Sequence, residues 1–143
     1  MAELNLNIVT PSKQIFSGEI KSITVPGTVG NFQVLKGHAP IISTLEIGAI
    51  KIELASETNF YATGGGTIEV KDNEILLLAD SIEKCEDIDI ERAKAAKERA
   101  QKRLEAKGED KTIDVERAEL ALKKANNRLE IYDKYLHGVA AKP

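Results

Sequence analysis

The feature that most constrains this chain is the uneven way charge and backbone breakers are spread along it. Residues 1–82 hold only 14 charged side chains, yet they carry eight of the ten glycines and three of the four prolines. Residues 83–143 hold 29 charged side chains among 61. Between Glu83 and His137 there is one glycine, Gly108, and no proline. The first part is punctuated like a β domain and the second is composed like long helices. We therefore expect two domains, 1–84 and 85–143.

Period-two alternation recurs in the first part. Leu4, Leu6 and Ile8 alternate with Glu3, Asn5 and Asn7, the pattern of a half-buried strand. Further strands are expected within Glu19 to Val25, Phe32 to Leu35, Ile47 to Leu54, Asn59 to Thr63, Thr67 to Val70 and Glu74 to Leu78. Pro26-Gly27, Gly37 to Pro40 and Gly64 to Gly66 separate them, and Asp72-Asn73 suits a tight hairpin. Many short strands at this spacing predict an antiparallel sandwich or barrel.

The second part predicts two helices. Asp87 or Asp89 can cap the first, which should run to about Lys107 with Gly108 as its left-handed stop. The second should start at Asp114 to Glu116 and end near His137-Gly138. Its apolar positions, Val115, Ala118, Leu122, Ala125, Leu129, Tyr132 and Leu136, repeat at alternating spacings of three and four, a heptad seam. Ile90, Ala93, Ala96, Ala100 and Leu104 form the matching stripe of the first helix. A short linker makes an antiparallel hairpin the simplest arrangement, with a seam so rich in alanine that it buries little apolar area.

Several function classes are excluded or weakened. The longest strongly apolar run, Ile75 to Ala79, is too short to span a bilayer, and Met1-Ala2-Glu3 opens no secretory signal. The lone Cys85 allows no internal disulfide or multi-cysteine zinc site, and its thiol is expected to be inert. His38 and His137 are the only histidines, so no metal site is expected. A net charge of −3 supplies no basic field for nucleic acid. Gly64-Gly65-Gly66 lacks the Lys-Ser or Lys-Thr of a phosphate loop and reads as a turn or bulge. No nucleophile, base and oxyanion donors assemble. The residues point to an intracellular, soluble protein that is not an enzyme.

The helices carry the sharper signal. Asp89 and Arg92 share a face, as do Arg92 and Arg99, and Lys124 and Arg128 lie four apart. In a closed hairpin these cations could surround a polyanion, with Asp89 accepting from a base or ribose. On spacing alone, a solvated face with routine i,i+3 pairs is the better account.

Taken together, Gly37-His38-Ala39-Pro40, Gly64-Gly65-Gly66, Asp87-Ile88-Asp89 and Arg117-Ala118-Glu119-Leu120-Ala121-Leu122 fall in register over most of the chain. In these motifs the sequence resembles the epsilon-subunit family of bacterial F-type ATP synthases. The resemblance implies a sandwich of two five-stranded sheets followed by an antiparallel helix hairpin. It also implies a rotor position at the cytoplasmic face of the membrane, bound to the gamma subunit and the c-ring, with Asn31 and His38 facing the ring. In that family the helices can extend and restrain ATP hydrolysis. Arg117, Lys123, Lys124 and Arg128 are the residues implied to press on the alpha/beta catalytic head. Ile88-Asp89-Ile90-Glu91-Arg92-Ala93 matches the ATP-binding motif of bacillus-type members, joined by Glu83, Arg99 and Arg128. Lys124 stands where those members carry arginine, keeping the charge without the bidentate fork. ATP is then a regulatory ligand, no cofactor is required, and the tail from His137 to Pro143 is expected to fray. The competing reading is a free-standing adaptor whose heptad helix binds a coiled-coil partner.

Overall fold

Two strands longer than any the sequence pattern marks organise the first half of the molecule. The computed structural model describes residues 3–137, with side chains to Tyr135. The strands are β1 (Asn5–Val9), β2 (Gln14–Glu19), β3 (Ser22–Gly27), β4 (Gly30–Leu35), β5 (Ile41–Glu53), β6 (Thr58–Lys71), β7 (Glu74–Ala79) and β8 (Ile82–Lys84). They follow the hydrogen-bonded order β2-β1-β7-β6-β5-β3-β4, with β8 on β6.

β5 and β6 pair antiparallel from Ile41↔Val70 to Glu53↔Thr58, with a break between Leu45↔Gly66 and Ile47↔Gly64. On one side of the break β6 pairs with β7, on the other with β8. Counting the two long strands in both layers gives five strands in each, β2-β1-β7-β6-β5 and β8-β6-β5-β3-β4. Every pairing is antiparallel except β1 with β7, which is parallel. Between the layers lies one core, in which Leu6, Ile8, Ile23, Val25, Val34, Ile50, Ile52, Ile68 and Leu77 are almost wholly buried.

Gly64 to Gly66, expected to separate two strands, instead lies inside β6 at its corner. Gly65 and Gly66 hold φ of 102° and 152°, and a Cβ at Gly66 would run into the Leu78 carbonyl, so only glycine fits. The buried Thr63 hydroxyl accepts from the Gly65 amide at 3.2 Å, and the Gly64 amide donates to the Ser81 carbonyl at 2.9 Å. These bonds satisfy backbone groups the bend takes out of the ladder. Asp72 and Asn73, with φ of 52° and 63°, close β6 onto β7 in the tight turn their sequence suggests. The alternation did not mark β2, β8 or the first half of β5. In β5 the adjacent Ile41 and Ile42, one half-buried and one exposed, break the alternation and hide the strand signal.

The chain divides into two units after Lys84. In the second, a 3-10 turn (Cys85–Asp87) leads to α1 (Ile90–Glu105) and α2 (Val115–Ile131), followed by a π-helical turn (Tyr132–His137). Asp89 caps α1 by accepting the Arg92 amide at 3.1 Å, and Asp114 caps α2 by accepting the Arg117 amide at 3.1 Å. The Cys85 thiol reaches the Ile131 carbonyl at 3.5 Å, and the 3-10 turn packs on the π turn, so the helices run antiparallel.

α1 stops at Glu105, two residues short of the expected Lys107, and Gly108 does not take the left-handed conformation. Ala106 closes the helix with its amide on the Lys102 carbonyl and accepts the Glu109 and Asp110 amides, so the last turn is finished before the glycine. Second, α2 gives way to the π turn at Tyr132 instead of continuing its heptad winding. The seam position expected at Leu136 and the tail from His137 to Pro143 lie outside the described side chains. No helix among the described residues is long and apolar enough to cross a membrane.

Candidate functional site

The seam of the hairpin decides where its charged groups can stand. Ala93 and Ala100 of α1 and Ala118 and Ala125 of α2 are buried, each pair seven residues apart. Antiparallel packing sets Ala93 level with Ala125 and Ala100 level with Ala118. Asp89 and Arg92 in the first turn of α1 therefore share one end of the hairpin with Lys124 and Arg128 of α2. Arg99 stands seven residues, about 10 Å, further along α1.

The candidate residues differ in environment. Arg92 and Arg99 are exposed, while Lys124 and Arg128 are half-buried. Ile88 and Ala93 are buried, so neither side chain is open to a ligand. Asp89 is exposed, but one carboxylate oxygen already accepts the Arg92 amide, leaving the other for a ligand. Glu83 belongs to the sandwich unit, on β8. Of the head-contact candidates, Arg117 and Lys123 are exposed on α2, with Arg117 at the opposite end of the hairpin from Arg128.

A second surface lies on the sandwich. Register across β1, β7, β6 and β5 sets Asn7, Leu76, Glu69 and Ile42 in one row and Val9, Leu78, Thr67 and Thr44 in the next. These side chains point away from the core. Ile42 is 73% and Leu78 47% exposed. Two shallow depressions of about 440 and 330 Å³ lie along the same strands and share Glu69 and Lys71.

Sequence reading did not single out this face. Its signal was present in Ile75-Leu76-Leu77-Leu78, where apolar residues fill both faces of a strand instead of alternating. Asn31 and His38 are not brought together. Asn31 is the second residue of β4, about 13 Å of strand before its end at Leu35, and His38 lies three residues beyond that end. The loop holding His38 is tied down by the Gly37 amide on Asn73 Oδ1 at 2.7 Å and by the His38 amide on the Leu35 carbonyl at 3.1 Å. Among the described residues no cluster of three or more His, Cys, Asp or Glu side chains could hold a metal.

The chain thus combines a β-sandwich, on whose outer sheet face Ile42 and Leu78 are exposed, with a capped pair of helices that carries cations. Residues 3–85 match the β-sandwich domain of the ATP synthase delta/epsilon chain, and residues 86–133 match its long α-helix domain. The chain belongs to the ATP synthase delta/epsilon family. It is 46% identical over 105 residues to an ATP synthase epsilon chain of Desulforamulus reducens, covering 73% of this chain and 80% of that one. To the ATP synthase epsilon chain of Anoxybacillus flavithermus it is 41% identical over 107 residues, 75% and 80% of the two chains. Its fold matches a chain in the Euglena gracilis mitochondrial ATP synthase OSCP/F1/c-ring structure with a TM-score of 0.75 at 23% identity, covering 91% of this chain and 81% of that one.

Proposed function

We propose that this chain is a rotor subunit of the central stalk of an F-type ATP synthase, itself without catalytic activity, seated peripherally at the cytoplasmic face of the membrane. The sandwich binds the gamma subunit and meets the c-ring, and the helices regulate ATP hydrolysis. The observation that carries the reading is the outer sheet face on which Ile42 and Leu78 are exposed beside the half-buried Leu76, apolar area left to water unless a partner covers it. Ala118 and Ala125 of the α2 seam are buried, which favours use of the seam within the hairpin over the adaptor reading.

The hairpin supports the regulatory half of the proposal. Four alanines and a single larger side chain, Ile131, are what α1 and α2 bury, so modest energies can open the hairpin. ATP binds the closed form, with Asp89 accepting from the adenosine part, Arg92, Arg99 and Arg128 around the phosphates and Lys124 assisting. Ligand that binds only the closed form stabilises it by about 2.7 kcal/mol at a hundredfold excess over Kd. On opening, Arg117, Lys123, Lys124 and Arg128 meet acidic segments of the alpha/beta head. Asn31, near the start of β4, and His38, in the loop after it, contact the c-ring.

The decisive experiment is removal of residues 86–143 from the assembled synthase. Assembly and ATP synthesis survive while ATP hydrolysis rises; unchanged hydrolysis would mean the helices do not inhibit. The paired change Ile42→Asp with Leu78→Asp leaves the isolated sandwich folded and abolishes copurification with gamma and the c-ring. For the nucleotide, titration calorimetry of the isolated chain detects one ATP bound and Arg92→Ala removes it. Absence of heat up to millimolar ATP retires the nucleotide claim alone.

A further inference from the structure

Most of the hairpin's exterior is charged, and Leu120 is the one large apolar side chain on it that is exposed among the described residues, at 48%. A single surface leucine is ordinary in itself. This one is set apart by its surroundings on α2. At 3.6 residues per turn it points away from the buried Ala118 and Ala125, and shares its face with Arg117, one turn before, and Lys123 and Lys124, one turn after. Glu116, four residues before Leu120, stands on that face as closely as Lys124 does. From Leu120 to Leu129, however, α2 carries Lys123, Lys124 and Arg128 and no acid.

An apolar side chain at the head of a cationic stretch is the form of a docking anchor. The cations orient and attract, and the leucine supplies the desolvated contact that holds. We propose that Leu120 is the apolar anchor of the surface through which α2 grips an acidic partner segment, one that also presents an apolar recess. The proposal rests on the regulatory reading above and adds to it a residue that carries no charge. Electrostatics alone would bring the helix to an acidic surface without fixing its register; Leu120 fixes which turn of α2 sits at the contact.

The test uses the assembled synthase carrying the full chain with Leu120→Gln. Glutamine has nearly the helix propensity of leucine, so the hairpin keeps its stability and only the apolar contact is lost. The expected result is loss of most of the inhibition, with hydrolysis approaching the level reached when residues 86–143 are removed. Leu120→Met keeps the inhibition, and the melting midpoint and ATP titration of the isolated chain are unchanged by either variant. Wild-type hydrolysis in Leu120→Gln, while the truncation still raises it, overturns the anchor and leaves the regulatory reading standing. A truncation without effect overturns both. Self-association of the isolated chain in sedimentation, dissolved by Leu120→Gln, would assign the face to a second copy and overturn the acidic partner.

Discussion

The two units are closed by opposite kinds of interior. The sandwich buries Leu6, Ile8, Ile23, Ile50, Ile52 and Leu77 almost completely, each a large branched side chain held from both layers. In α1 and α2 the buried side chains are Ala93, Ala100, Ala118 and Ala125, four single methyl groups, and one larger residue, Ile131, at the end of α2. At roughly 25 cal/mol per Å² of apolar area, the first arrangement resists local opening and the second barely does. One chain thus holds a rigid platform and a hairpin with little holding it shut. The proposed function, a subunit that stays attached while a part of it moves, calls for that division.

The comparison breaks most directly with a matched pair of truncations. Leu77→Ala is expected to cost the sandwich about 2–5 kcal/mol, because a wholly buried side chain leaves a cavity between two sheets that cannot close in on it. Ala125→Gly, at an equally buried place in the helix seam, is expected to cost about 1 kcal/mol, most of it helix propensity. Thermal unfolding followed by circular dichroism separates the two. Equal losses would mean that the hairpin carries a core of its own weight.

A smaller effect sharpens the same contrast. With so little in the seam, each helix depends on its ends, and Asp89 and Asp114 satisfy the first-turn amides. Asp89→Ala or Asp114→Ala is expected to cost about 1 kcal/mol of helical stability and nothing in the β transition. Asn caps as well as Asp, so Asp89→Asn restores the helix. In the proposed site it also removes the charge that faces the adenosine. Restored stability with lost ATP binding separates capping from ligand contact at one residue.

Legibility in the sequence followed the same division. The helices announced themselves because capping aspartates and a period of three and four are local signals, readable without knowing what packs where. Their ends were less legible. Ala106 completes α1 through backbone bonds that leave Gly108 without a role, and the π turn after Ile131 departs from a heptad that the residues themselves continue.

In the sandwich, the turn residues Asp72-Asn73 and the inward Leu4, Leu6 and Ile8 were legible. The corner in β6 was not, because a run of glycine ordinarily marks an end and here marks a bend that lets one strand serve two layers. For the candidate sites, the charged residues could be named from the family motif. That Asp89 and not Asp87 is the cap, and that Ile88 is buried, required the fold. The outer face of β7 needed its register with β1 and β6 before Leu76 and Leu78 could be placed on the solvent side.

The smallest expected effect sets one acid from each unit against the other. In the sandwich, the Glu53 carboxylate accepts from Lys51 at 3.1 Å and from the buried Ser22 hydroxyl at 3.2 Å, and these bonds hold its pKa below the ordinary value. In the helix linker, Asp110 accepts the Thr112 hydroxyl at 2.6 Å and the Thr112 amide at 2.9 Å, with the same direction of shift. A carboxyl whose pKa is lower folded than unfolded binds fewer protons in the folded state. Its contribution is therefore complete above the unfolded pKa and is lost as pH falls through the folded one. Both contributions should vanish on the acid side, below the ordinary carboxylate range, and leave stability near neutrality independent of their titration. Glu53→Gln is expected to flatten the acid limb of the sandwich transition only, and Asp110→Asn that of the helical transition only. Both groups face solvent, so the changes are slight and shrink further in salt. Parallel acid titrations of the two variants, each followed by β and helical signals, check this; a single shared shift would mean the units unfold as one.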